Sequence, residues 1–303
     1  MTVVVLAGGS GGAKLARGML DVAGDELTVI ANTGDDVEIH GAHVSPDPDL
    51  VTFWLADAIH ERGWGLEGDT FEVMEAMEKL GEDVWFRLGD RDLALGLWRA
   101  RRMREGDRPT VIARDAARAF GIERARVLPM SDDPVRTFVG GTPFQEWMIR
   151  AGGKHGGKVG EVEFRSAERA RATPEVLSAI ATARVVVIGP SNPVISIGPI
   201  LAVPGIREAL MSTAAAVVAV SPLVGGSAVK GPTEDFLRAA GLPLTTDGIV
   251  AAYSGLIDGI VADERASNVP TLETDVRMPD ATGRARLAHE TLVFAAGLIG
   301  SRR

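Results

Sequence analysis

Five consecutive apolar residues, Val3-Val4-Val5-Leu6-Ala7, run straight into Gly8-Gly9-Ser10-Gly11-Gly12 and then into a helical pattern from about Ala13 to Leu20. A strand apolar at every position is buried on both faces, so helices must cover it above and below. A second run of this kind, Leu27 to Ala31, follows at once. Strand, helix and strand in this order predict a parallel β-α-β unit at the start of an α/β fold.

The same grammar returns late in the chain. Arg184 to Gly189 and Ala215 to Ser221 read as two more buried strands, with Ile257 to Ala262 as a further candidate. Thr173-Pro174 places an N-cap residue before a proline at the first helical position, and Pro204 marks another helix start. Between Asp49 and Gly121 the pattern is mostly helical: Leu50 to Glu61, Thr70 to Leu80, Asp90 to Arg104 and Thr110 to Phe120. Asp69, three residues before Glu72, resembles a capping box. Short alternating runs at Arg136 to Val139, Phe144 to Ile149 and Lys158 to Phe164 suggest a small antiparallel element, and Gly152 to Gly157 a loop. The expected architecture is a Rossmann-like, doubly wound parallel sheet built from residues 1–48 and 166–303. Residues 49–165 form an inserted, mainly helical subdomain with the small antiparallel β element.

Composition narrows the chemistry. The 303 residues include no cysteine, which excludes disulfides, thiolate metal sites, iron–sulfur clusters and thiol catalysis. With 32 basic against 41 acidic residues the net charge is −9, so no general basic footprint for nucleic acid or an anionic membrane is expected. No basic leader precedes the first strand, and no apolar run approaches the ~18 residues of a membrane span. A cytoplasmic protein acting on small molecules is the expectation, with a homodimer as the expected assembly.

In doubly wound sheets ligands bind outside the carboxyl ends of the strands, where strand order reverses. Every loop after a strand is therefore a candidate. Gly9, Ser10, Gly11 and Gly12 allow backbone N–H groups to approach an anion at a helix N-terminus. Their spacing matches neither the P-loop nor the dinucleotide fingerprint. Lys14 serves as a phosphate contact or as a solvated helix residue. After the second strand, Asn32-Thr33-Gly34-Asp35-Asp36 and then Ser45-Pro46-Asp47-Pro48-Asp49 place four carboxylates within fifteen residues. Each acid alone could be turn or cap chemistry, but together they repel unless a cation neutralises them. With oxygen ligands only, magnesium is the natural ion. Gly89-Asp90-Arg91-Asp92 opens a helical run and reads as a cap or as a catalytic element. The proline-bounded loop containing Ser131, Asp132 and Arg136 suits a phosphate or sugar, or simply a turn. Ser191 and Asn192, between two prolines, offer uncharged donors, and Lys230 sits in another post-strand turn. The five histidines show no metal-ligand spacing.

Taken in order, these motifs, with His40-Gly41, Trp64-Gly65, Asp69-Thr70-Phe71, Pro129-Met130-Ser131-Asp132, Phe144-Gln145-Glu146, Pro190-Ser191-Asn192-Pro193 and Lys230-Gly231-Pro232, resemble the 2-phospho-L-lactate transferase family of coenzyme F420 biosynthesis, from residue 1 to about residue 280. The resemblance implies a magnesium-dependent transferase. Its donor would be a guanosine diphosphate-activated three-carbon acid, carrying 2-phospho-L-lactate or phosphoenolpyruvate, and its acceptor the deazaflavin Fo. The ribityl hydroxyl of Fo would attack the phosphorus bearing the acid, releasing GMP and giving F420-0 or dehydro-F420-0. On this reading Asp36, Asp47 and Asp49 hold the Mg2+, the Gly9 to Gly12 amides cradle the diphosphate, and Asp47 or Asp90, with Arg91 beside it, serves catalysis. Trp85 and Phe86 either wall the deazaflavin or belong to a core. Thr233-Glu234-Asp235 and Thr274-Asp275-Val276-Arg277-Met278 depart from the family pattern. The competing reading is a non-catalytic, nucleotide-sugar-binding regulatory protein of the same fold, which would not need the Gly-Asp-Arg-Asp and Pro-Met-Ser-Asp motifs.

Overall fold

A computed structural model describes residues 1–150, 158–228 and 231–299. The first apolar run forms β1 (Val3–Ala7) and the second β2 (Leu27–Ala31), joined by helix α1 (Gly9–Ala23). β1 pairs in parallel with β2 on one side and with β9 (Val185–Ile188) on the other. Beyond β9 lie β10 (Ala216–Val220), β13 (Gly259–Ala262) and β14 (Thr271–Glu273), while β5 (Ala125–Pro129) lies outside β2. The result is the expected doubly wound sheet, seven parallel strands in the order β14-β13-β10-β9-β1-β2-β5. Chain order reverses between β1 and β9.

Alternate residues of the central strands feed two cores. Val3, Val5 and Ala7 pack with Leu15, Met19, Leu287 and Leu292 beneath α1, α2 (Pro46–Leu55) and α12 (Ala281–Leu298). Val4, Leu6, Val186 and Ile188 face the opposite layer with Ile180, Ile200 and Leu210 from α7 (Pro174–Thr182), α8 (Gly198–Ala202) and α9 (Ile206–Ser212). Thr173 caps α7, its hydroxyl accepting from Val176 N–H, with Pro174 at the first position.

β5 is the main departure. It lies inside the span read as an insertion, yet it hydrogen-bonds along the whole of β2. Its sequence, Ala-Arg-Val-Leu-Pro, carries a charge and ends in proline, features that an edge strand tolerates and a central one does not. Part of the remaining insertion packs in a cluster of its own, together with a hairpin from before it, while α2 and the helix leading into β5 join the main core. A hairpin of β3 (Val37–Ile39) and β4 (Ala42–Val44) joins α3 (Glu72–Lys79) and α4 (Asp90–Arg104) around Met74, Leu88 and Leu93. Helix α5 (Pro109–Ala119) leads back to β5. Strands β6 (Arg136–Val139), β7 (Thr142–Pro143) and β8 (Val162–Arg165) form the small antiparallel sheet. Phe144–Ile149, read as a strand, is helix α6; its Phe144 and Trp147 stack on each other and meet Phe236 edge-on in a separate apolar cluster. Residues 152–157 and Lys230 lie outside the described residues.

The Asp69 capping box takes a different form. Asp69 accepts from the Arg91 and Asp92 N–H groups of α4 at 2.9 and 3.2 Å. Asp90 accepts from Glu72 and Val73 N–H of α3 at 3.1 and 3.0 Å and from the Thr70 hydroxyl at 2.6 Å. Each acid caps the other's helix. Among the described residues no single helix is long and apolar enough to cross a membrane.

Candidate functional site

The carboxyl ends of β1, β9 and β2 meet at the reversal point, and glycines let their loops interlock. A Cβ on Gly11 would stand 2.1 Å from the Pro190 carbonyl oxygen, and one on Gly12 2.7 Å from Ser191 Oγ. A Cβ on Gly8 would meet Ser196 at 2.7 Å. Gly9 has φ +65°, which lets the chain leave β1 and enter α1 without a longer loop.

A cavity of about 610 Å³ opens over this junction. Gly8 to Gly11 and Lys14 form one wall, Ser191, Asn192 and Ser196 another, and Asp35 and Asp47 project into it. Arg277 and Met278, Phe144 and Met148, and Trp64 complete the rim. The N-terminus of α1, with no acid in its own first turn, borders the space; beyond Gly9, whose N–H is taken by Asp47, its N–H groups favour an anion.

Asp47 is held rigidly. Gly9 N–H donates to its Oδ1 at 2.7 Å and Asn32 Nδ2 to its Oδ2 at 2.9 Å, while Asn32 Oδ1 accepts from Gly34 N–H at 2.7 Å. Burial pushes the Asp47 carboxyl up to about 6, against those two hydrogen bonds and with added repulsion from Asp36. Asp35 is shifted upward more strongly, first by burial and then by the charge of Asp47. Its Oδ1 is buried and has no hydrogen-bond partner among the described residues. Two buried carboxylates, one with an unanswered oxygen, face a cavity lined by backbone amides.

A second cavity of about 140 Å³ lies on the other side of the same two acidic segments, lined by Asp36, Ser45, Asp49, Arg99, Ser131, Asp132 and Arg136 among others. Here the acids have partners. Asp36 accepts from Ser45 Oγ at 2.7 Å and contacts His43 Nε2 at 3.0 Å. Arg99 grips Asp49 with both terminal nitrogens, one at 3.1 Å, and donates to the His43 carbonyl at 2.8 Å. Burial alone would lower His43, but Asp36 and Glu38 outweigh it and raise its pKa. Asp92 behind them is pushed up to about 7 by burial and by Asp49.

The expected trio of Asp36, Asp47 and Asp49 is therefore divided: Asp47 faces the larger cavity, and Asp36 and Asp49 line the smaller. Asp35, adjacent in sequence to Asp36, stands beside Asp47 instead. Among the described residues no three histidine or acidic side chains converge on a point. Asp35 was within reach of the sequence as one of the four clustered acids; which of an adjacent pair faces which way depends on a loop conformation that no periodicity encodes.

Of the other expected residues, Gly9, Ser10, Gly11, Lys14, Ser191 and Asn192 line the larger cavity. Gly12 and Asn32 lie behind it as packing and bracing residues. Asn192 also caps the turn that follows, accepting from Val194 N–H at 2.9 Å. Ser131, Asp132 and Arg136 are gathered at the smaller cavity, where Asp132 accepts from Thr110 N–H and Arg108 Nε, both at 2.7 Å. Asp90 and Arg91 line neither cavity. Both Asp90 oxygens are committed to capping α3, which also holds its carboxyl below the usual range, first through Thr70. Arg91 donates to the Glu67 carbonyl at 3.0 Å. Trp85 and Phe86 pack edge to face, 5.6 Å between centroids, in the α3–α4 cluster and line neither cavity.

A family model described as 2-phospho-L-lactate transferase CofD matches residues 3–291. The chain is 40% identical over 316 residues to a phosphoenolpyruvate transferase of Kitasatospora aureofaciens, covering 95% of this chain and 97% of that one. It is 40% identical over 270 residues to a 2-phospho-L-lactate transferase of Methanosarcina acetivorans, covering 87% and 86%. A crystal structure of a upf0052 family member from Bacillus halodurans superposes with a TM-score of 0.62 at 19% identity, over 96% of this chain and 98% of that one, a likeness of fold.

Proposed function

The chain belongs to the 2-phospho-L-lactate transferase CofD family, and from that premise we propose that it moves a phosphate-linked three-carbon acid from a guanosine diphosphate-activated donor to the ribityl hydroxyl of the deazaflavin Fo. The observation that carries this reading is the pairing of Asp35 and Asp47 beside the N-terminal turn of α1 in one cavity. Amides meet a diphosphate, and carboxylates meet a cation and a proton.

The donor diphosphate lies over Gly9 to Gly11, where α1 N–H groups and Lys14 balance its charge. Ser191 and Asn192 orient it from the opposite wall. The acceptor hydroxyl approaches from the acidic side. Its proton passes to a carboxylate oxygen of Asp47 as its oxygen bonds to the phosphorus bearing the acid; the bond from that phosphorus to the GMP oxygen breaks, and GMP leaves. Asp47, raised to about 6 and fixed from both sides, suits a general base near neutral pH. Displacement at phosphorus depends mainly on positioning and charge neutralisation, and rigid walls supply the first.

The residues fit a magnesium ion. Asp35 offers a buried oxygen with no protein partner, and the repulsion it shares with Asp47 is relieved by a cation. Magnesium commonly takes one or two carboxylates plus substrate phosphate and water, so these two acids would suffice as its protein ligands. When bound, it would neutralise charge on the phosphoryl oxygens. Asp36 and Asp49, already paired with His43, Ser45 and Arg99, serve as the wall behind this site.

The test is mass spectrometry after incubation with Fo, the guanosine diphosphate-activated acid and Mg2+. The reading expects a new deazaflavin phosphodiester and stoichiometric GMP. A folded protein that binds GDP but forms neither product would overturn it in favour of a binding protein.

A further inference from the structure

We propose that Trp64 stacks on the flat heteroaromatic ring of the substrate seated in the larger cavity, an inference that rests on the function proposed above. Trp64 is 57% exposed, while Trp54 and Trp147 are buried and Trp85 and Trp98 half-buried. It is nevertheless part of the cavity wall, with Leu50, Phe144, Met148 and Met278 as apolar company. An indole left in water at the mouth of a substrate cavity lacks the burial that normally accompanies so large an apolar surface.

The loop that carries it is preformed. Ile59 and Leu66 bridge across its base, Glu67 N–H donates to the Ala58 carbonyl at 2.9 Å, and His60 N–H to the Gly65 carbonyl at 3.0 Å. Gly63 and Gly65, on either side of Trp64, adopt φ of +80° and +69°, conformations that side-chain-bearing residues rarely take. The backbone that carries the ring is thus set before any ligand arrives. The Arg62 guanidinium lies 5.4 Å from its centroid, a cation against an electron-rich ring. No second aromatic ring packs on Trp64 among the described residues. A planar ring whose phosphate-bearing end reaches the glycine loop would complete the stack. Guanine and the deazaflavin share that chemistry.

The experiment measures affinity for Fo, through its own fluorescence, and for GDP with Mg2+, by calorimetry, in wild type, Trp64→Ala and Trp64→Phe. Stacking of a base on an aromatic residue predicts that alanine weakens one ligand by about tenfold to a hundredfold, while phenylalanine restores most of the affinity. The ligand affected identifies the ring. Quenching of protein fluorescence by that ligand falls in Trp64→Phe. If wild type binds both ligands and Trp64→Ala binds them equally well, this inference fails and the functional reading stands. If wild type binds neither, both fail.

Discussion

The backbone N–H of Gly9 donates to Oδ1 of Asp47 across 2.7 Å, joining the first turn of α1 to the first turn of α2. One hydrogen bond thereby fixes the glycine loop against the proposed base. Replacing Asp47 with Asn keeps an oxygen for Gly9 but turns a second donor toward Asn32. We expect kcat to fall by about 10²- to 10⁴-fold, the range for loss of a general base, with a stability change near 1 kcal/mol. Steady-state kinetics beside a denaturant titration separates the two.

The same carboxyl sets a pH dependence. Asp47 is raised from its ordinary 3.8 to about 6, so the folded state retains a proton that the unfolded state has released. Stability then declines as pH rises from about 4 to about 6, opposite in sign to a salt-bridged acid. His43, raised from 6.5, acts above this window and in the same sense, because there too the folded state holds the extra proton: its contribution is present below 6.5 and lost as pH rises further. Melting temperatures of wild type and Asp47→Asn between pH 4 and 7, without divalent ions, should converge at the acidic end and diverge in favour of the variant toward pH 6. Parallel curves would remove Asp47 as the cause.

Asp69 and Asp90 cap one another's helices, so each should matter to folding rather than to chemistry. Asp90→Ala and Asp69→Ala are each expected to cost about 1–2 kcal/mol in chemical denaturation. Turnover by folded Asp90→Ala should stay within about threefold of wild type. A hundredfold loss at unchanged stability would return Asp90 to the catalytic group.

Gly11 tests the interlocked loops. An alanine Cβ at 2.1 Å from the Pro190 carbonyl has no room, since the obstacle is backbone. Gly11→Ala should separate the β1 and β9 loops, lower the melting temperature by several degrees and weaken GDP binding by at least tenfold. Gly41→Ala, at an open turn of φ +75°, should affect stability alone.

The fold was legible where one periodicity dominates. β1, β2, β9 and β10 are unbroken apolar runs buried on both faces, and such runs have one reading in a chain that also shows helical patterns. β5 escaped because an edge strand needs only Val127 and Leu128 inside and tolerates Arg126 and Pro129. Phe144–Ile149, read as an alternating run, in fact spaces Phe144 and Trp147 three residues apart with two polar residues between, the pattern of one face of a single helical turn. At the site, the glycine loop, Ser191 and Asn192 followed from the rule that ligands lie at strand carboxyl ends. The orientation of four clustered acids did not follow, because Arg99, fifty residues beyond Asp49, claims that carboxylate through a contact no local pattern carries. Trp64 was visible as a motif but not as a wall of the cavity, which depends on where its loop lands.

The proposed cation site turns on Asp35. Its buried Oδ1 is assigned to a divalent ion, and the direct measurement is a Mg2+ titration of thermal stability in the presence of GDP, comparing wild type with Asp35→Asn. Ligand linkage predicts that saturating Mg2+ stabilises wild type by several degrees, about 2.7 kcal/mol at a hundredfold excess over Kd. Asp35→Asn should be more stable than wild type without the ion and gain little from its addition. Identical Mg2+ responses in the two proteins would contradict the assignment of the ion to this carboxylate pair.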